Sequence, residues 1–202
     1  MKRIIAALFA ATLLLAACGG SDSAGSGSGS GSSASADFND ADVAFAQGMI
    51  PHHKQAVEMA DLALKNASSD KVTALAKKIK AAQDPEIKTM EGWLSDWGQS
   101  ETTSSSDMGG MNHGSDTTMG SDMGGMGMMS DKDMADLEAA TGSEFDTMFL
   151  KMMVKHHKGA VEMAKIEKAD GQNADAKDLA DKIIAAQEGE ITEMQALLDG
   201  GV

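Results

Sequence analysis

The chain has 202 residues, with 17 Lys and Arg against 31 Asp and Glu, for a formal net charge of −14. That balance argues against nucleic acid, which wants basic patches, and against docking on an anionic lipid surface. It suits a protein that gathers cations.

Met1-Lys2-Arg3 is a short basic start, Ile4 to Ala11 and Leu13 to Leu15 are apolar, and Leu15-Ala16-Ala17 leads into Cys18. This order is that of a secretory signal peptide over residues 1–17, too short and wrongly flanked for a stable span. Small residues directly before a cysteine resemble the bacterial lipobox, which implies cleavage before Cys18 and acylation of its sulfur. Cys18 is the one cysteine in the chain. A mature form would then hold no free thiol and no disulfide, and soft-metal chemistry would fall to methionine. Residues 18–36 are nearly all Gly, Ser and Ala, a flexible tether between lipid and folded domain. The expected location is the periplasm or cell surface, with the membrane engaged only through the N-terminal lipid.

The rest contains an internal repeat. Residues 45–64, FAQGMIPHHKQAVEMADLAL, align with residues 149–168, FLKMMVKHHKGAVEMAKIEK. Residues 75–94, LAKKIKAAQDPEIKTMEGWL, align with residues 179–198, LADKIIAAQEGEITEMQALL, at the same offset of 104. Shared helical periodicity alone would not place His-His, Glu-Met-Ala and Gln-x-x-Glu-Ile-x-x-Met at one fixed spacing. Each half therefore reads as helix, turn, helix: hairpin 1 over residues 37–99 and hairpin 2 over 131–202. Two such hairpins packed face to face make an all-α four-helix bundle. Phe45, Met49, His52, Ala56, Met59 and Ala63 recur at spacings of four and three, as do Val72, Ala76, Ile79, Gln83, Glu86, Met90 and Trp93. These are bundle seams. Asn39 or Asp40 is placed to cap the first helix, Ser68 or Ser69 the second, and Gly200-Gly201 to end the last. No segment alternates with period two, so no sheet is expected. Pro51 and Pro85 fall inside the repeat, where kinks are expected rather than breaks.

Four of the five histidines form the pairs His52-His53 and His156-His157. His52 and His156 fall on the seams, at helical spacing from Met49 and Met59 and from Met153 and Met163; His53 and His157 lie about 100 degrees round the helix, toward the bundle edge. Imidazole suits copper, zinc, nickel or iron, whereas thioether favours copper(I), so an inward mixture points to copper. Core histidines satisfied by hydrogen bonds are the alternative. Glu86, Glu190, Gln83 and Gln187 on facing seams are placed to serve as partners or as a second layer behind a metal. Met90 and Met194 read as packing, and Glu58 and Glu162 as solvated. Protonation of imidazole is expected to weaken the histidine sites below about pH 6.5.

Residues 100–130 form a linker whose centre reads DMGGMNHGSDTTMGSDMGGMGMM. It is too polar and glycine-rich to fold alone. Met108 with Met111 and Met123 with Met126 space thioethers so that a pliable backbone can wrap a soft ion, with His113 as a nitrogen donor. Methionine oxidises and adds no solubility in such a stretch, which favours a metal collector over compositional drift.

Met-Ile-Pro-His-His at 49–53, Ala-Val-Glu-Met-Ala at 56–60 and Gln-x-x-Glu-Ile-x-x-Met-x-x-Trp-Leu at 83–94 together resemble the domain of unknown function 305 family. The resemblance covers nearly all of residues 40–199. It implies a ferritin-like four-helix bundle, secretion, and in some members a link to copper. Carried over by position, its histidines are His52, His53, His156 and His157, and its methionines Met49, Met59, Met153 and Met163. Leu197 departs from the pattern where the first half has Trp93. The expected function is copper sequestration or chaperoning without turnover, copper(I) ahead of copper(II), with silver as a further soft ion and a copper-transfer protein as candidate partner. Two rivals stand beside it. One is a structural or protein-contact lipoprotein without metal. The other is a di-metal oxidase, disfavoured because no Glu precedes either histidine pair by three residues, as the Glu-x-x-His motif requires.

Overall fold

The computed structural model describes residues 37–101 and 126–202. Four long helices carry the architecture: α1 (Asp40–Asn66), α2 (Asp70–Asp96), α4 (Gly142–Asp170) and α5 (Ala174–Gly200). A short helix, α3 (Asp131–Ala139), precedes α4. The described residues contain no strand, only an isolated bridge between Ala67 and Gly142. No helix among them is long and apolar enough to cross a membrane. The signal-peptide, Cys18 and tether expectations, and those on Met108, Met111, His113 and Met123, lie outside the described residues.

The helix starts follow the chemistry of their caps. Asn39 accepts from the backbone N–H groups of Ala41 and Asp42, and Asp42 accepts in return from the Asn39 N–H, a reciprocal capping box. Ser69 precedes α2, but its side chain makes no cap hydrogen bond. The last helix runs through Gly200 and ends at Gly201, whose φ of 66° a glycine adopts without steric cost. Neither proline breaks a helix: α1 continues through Pro51 and α2 through Pro85. Each loses one backbone bond there, a cost of about 3 kcal/mol, which burial of flanking residues such as Met49, Ile50 and Ile87 offsets. The second half departs from a plain hairpin. Its N-terminal arm is split, because Ser130 and Asp133 form a capping box that starts α3, and the chain turns at Ala140–Thr141 before Gly142 starts α4 with φ 65°.

The two hairpins lock each other's turns. Asp42 near the start of α1 accepts from the N–H groups of Gln172 and Asn173 in the turn between α4 and α5. Asp146, 104 residues on, accepts from Ser68 N (3.1 Å), Ser68 Oγ (2.5 Å) and Ser69 N (3.0 Å) in the turn between α1 and α2. Both aspartates are fully buried. The reciprocal pattern runs α1 antiparallel to α4 and relates the halves by a pseudo-twofold. Asp146→Ala orphans three donors at once and is expected to cost about 2–4 kcal/mol, read as a lower urea midpoint with unchanged m-value.

Two apolar clusters fill the bundle. One joins Phe45, Ala46, Met49 and Ile50 to Ile87, Met90 and Leu94 of α2, Ala160 and Ala164 of α4, and Leu179, Ala180 and Ile183 of α5. The other joins Ala56, Met59, Ala60 and Ala63 to Val72, Leu75, Ala76 and Ile79, to Phe145, Phe149, Leu150 and Met153, and to Met194, with Leu137 of α3 sealing it. Most members exchange under the offset of 104. Between the clusters lies a layer that is polar yet buried.

Candidate metal centre

That layer comprises His52, His53, Gln83, His156, His157, Gln187 and Glu190, each 3% exposed or less. Glu86 joins it from the rim, with its side chain 18% exposed. Helical spacing explains the assembly: the histidine pairs follow Met49 and Met153 by one turn on α1 and α4, and Gln83-x-x-Glu86 and Gln187-x-x-Glu190 are matching turns of α2 and α5. His52 and His156 meet across the pseudo-twofold, ring centroids 3.7 Å apart. His156 and His157 are 6.4 Å apart by the same measure. His53 and His157 do not face the bundle edge as the sequence suggested. Each turns toward the second helix of its own hairpin and is sealed there.

The hydrogen bonds set which nitrogen is free. His53 Nε2 pairs with Glu86 Oε2 at 2.8 Å, and His157 Nε2 with Glu190 Oε2 at 2.9 Å. Lys78 of α2 sits 3.8 Å from Glu190 Oε1, tying the hairpins together. His52 Nε2 is 3.0 Å from the carbonyl oxygen of Met126, which can only accept, so the hydrogen of this ring lies on Nε2. Among the described residues Nδ1 of His52, His53 and His157 has no hydrogen-bond partner, and His156 has none at either nitrogen. A neutral ring bonded through Nε2–H presents Nδ1 as a bare lone pair. Gln83 lacks partners at both side-chain atoms and Gln187 at its oxygen, so the glutamines do not satisfy the histidines as expected.

Burial favours the neutral form of His52, His156 and His157. It pulls His52 down to about 3, against the Met126 carbonyl and helped by His53 and His157. Burial likewise lowers His156 well below its ordinary value, with His52, His157 and His53 adding repulsion. His157 is lowered by burial, although Glu190 opposes it. Protonation of His52, His156 and His157 in the closed bundle is thus shifted below the ordinary histidine range, because a charged ring would lose its hydration.

Other candidates fall elsewhere. Met49, Met59 and Met153 are fully buried in the apolar clusters above and below the layer. Met163 is partly buried beside the first cluster, its sulfur against Gly48. Glu58 and Glu162 are exposed, as expected. Met126 is the one linker candidate among the described residues: its side chain is 37% exposed while its carbonyl reaches His52. Among the described residues no group of three or more His, Cys, Asp or Glu side chains already forms a cluster able to hold a metal. The donors that fit an ion are thus a few buried imidazole nitrogens, with thioethers one turn away.

A buried donor layer between the helices of a duplicated bundle is the layout of metal-binding helical bundles generally. Residues 42–198 match the family model described as domain of unknown function (DUF305), and the chain belongs to that family. No curated protein matches it. A DUF305 protein from Streptomyces coelicolor is 31% identical over 79% of this chain and 93% of its own, with a TM-score of 0.67. CopM in its Cu(II)-bound form is 31% identical over 79% of this chain and 96% of its own, with a TM-score of 0.63. CopM is also solved in Cu(I)- and Ag-bound forms.

Proposed function

We propose that this protein is an extracytoplasmic copper-binding lipoprotein that sequesters or hands on copper, and also accepts silver, without catalytic turnover. The observation that carries the reading is the set of unpartnered Nδ1 atoms in a fully buried layer. An unpaired polar group in an apolar interior costs roughly 2–7 kcal/mol. A soft cation removes that cost at several rings together. Glu86 and Glu190 behind His53 and His157 form the carboxylate–histidine pairing that orients metal ligands. Likeness to CopM, solved with copper and with silver, supports the same cargo.

His52, His53, His156 and His157 would supply the nitrogens. Met49 and Met153, then Met59 and Met163, are the thioethers nearest along the helices. Imidazole alone also suits zinc, so the choice of copper rests on the thioethers one turn away. Copper(I) and silver(I) accept imidazole with thioether, and this favours the reduced ion. Met108, Met111, His113, Met123 and Met126 would serve as a collector along the linker. The N-terminal sequence, with Cys18 after small residues, supports a location outside the cytoplasm on a lipid anchor.

The test is copper(I) competition against a chromogenic chelator, using the whole chain, a His52/His53/His156/His157→Ala variant and a Met108/Met111/Met123→Ala variant. The first set should remove the tighter sites and the second a separate, weaker class. A stoichiometry untouched by either set favours a protein-contact lipoprotein instead.

A further inference from the structure

The segment Met126–Ser130 packs against both α1 and α4, with its first carbonyl on His52. It is held at two positions that correspond in the repeat but differ in kind. Gln55 of α1 grips it through both amide atoms: Nε2 donates to the Met129 carbonyl at 2.9 Å, and Oε1 accepts from the Met129 N–H at 2.8 Å. Gly159 of α4, 104 residues on, provides the clearance. A Cβ there would lie 1.6 Å from the Met126 carbonyl oxygen and 2.4 Å from its carbon. Gly127 completes the fit, with φ +83° and room for no side chain against the Lys155 carbonyl. Lys155 Nζ donates to the Met128 carbonyl at 3.5 Å, and the Met129 side chain is buried in the core. The outcome is asymmetric: the strap gives His52 an acceptor for Nε2–H, while His156 has none.

Resting on the metal reading above, we propose that the Met126 carbonyl is the positioning group for His52, and that Gln55 and Gly159 are the residues that place it. It does for His52 what Glu86 and Glu190 do for His53 and His157, fixing the hydrogen on Nε2 and leaving Nδ1 for a soft monovalent ion. Docking of the strap and occupation of the site are therefore coupled, each favouring the other. Because the strap is the C-terminal end of the methionine-rich linker, the coupling joins the linker to the histidine layer.

The experiment uses the whole chain, Gln55→Ala and Gly159→Ala, with silver(I) as the probe ion. Affinity is read by competition, and the His52 tautomer by long-range ¹⁵N–¹H correlation before silver is added. The wild type should show His52 as the Nε2–H form. Both variants should redistribute that tautomer and bind silver about 10–100-fold more weakly, and silver should slow amide exchange at Met129 in the wild type alone. Unchanged tautomer and affinity in a folded variant overturns the proposal, as does tighter binding, which would make the strap a lid. If Gly159→Ala does not fold, Gln55→Ala carries the affinity arm, and the wild-type tautomer stands independently: an Nδ1–H form of His52 is by itself contrary. A His52→Leu/His156→Leu variant separates the two levels. If it binds silver as the wild type does, the metal reading fails; if it loses sites while the strap variants keep theirs, only the strap proposal fails.

Discussion

His156→Leu should give a protein that is more stable than the wild type without metal and markedly poorer at binding copper(I). Both ring nitrogens of His156 are buried without a hydrogen-bond partner among the described residues, and leucine fills a similar volume with no polar atom. Removing a buried, unsatisfied group relieves a penalty of about 1–3 kcal/mol. The urea midpoint should rise accordingly while m stays constant. Loss of a ligand at the centre of the layer should weaken copper(I) binding by at least about 100-fold, or 2.7 kcal/mol. His52 is a less clean choice for the stability arm, because leucine there would strand the Met126 carbonyl. A destabilised His156→Leu protein would mean that the apo layer satisfies this ring, and the metal reading would lose its main physical motive. Natural functional sites commonly carry such a stability cost, since the groups that bind a ligand are poorly served without it.

The second large effect is on acid stability. Unfolded histidines take up protons near 6.5, whereas folded His52 does so near 3 and His156 and His157 below their ordinary value. Between those limits the unfolded chain binds more protons, so stability falls as pH falls. Each such histidine removes about 1.4 kcal/mol per pH unit in that window. The three act in the same direction, so the apo bundle loosens in mild acid. Glu167 acts in the opposite sense. Burial and the neighbouring Asp42 push it up to about 8, so it contributes stability in acid that is lost as pH rises toward that value. Urea unfolding at pH 7, 6 and 5 should show a net fall. In His156→Leu the slope should drop by roughly one histidine's share, and silver(I) should raise the whole wild-type profile without flattening it, because the proton uptake that sets the slope occurs in the unfolded chain. A flat apo profile would mean that the histidines titrate as if exposed.

Much of the architecture was legible because it is written twice. The offset of 104 revealed both hairpins, and the four-three spacing placed His52, His156 and Gln83 on seams that the fold buries, with Glu86 at the rim. Other features depend on tertiary contacts that periodicity does not encode. His53 and His157 lie off the ideal seam, yet Glu86 and Glu190 on the neighbouring helices draw them inside. Asp42 and Asp146 carry no local sign of the turns they hold, because their partners are over 70 residues away. Helix α3 arises from a Ser-x-x-Asp capping box at 130–133, at the start of what was read as a plain hairpin. The strap was the least visible, although one signal existed. Gln55 and Gly159 occupy matching positions in an otherwise similar motif, and a repeat diverges where a single element must contact both halves.

Copper-edge anomalous diffraction from crystals of the copper(I)-loaded chain addresses the central claim most directly. A peak between α1 and α4, bonded to Nδ1 of at least two of the four layer histidines, is the predicted result. Copper found only on surface carboxylates or methionines, with those Nδ1 atoms still unliganded, would contradict it.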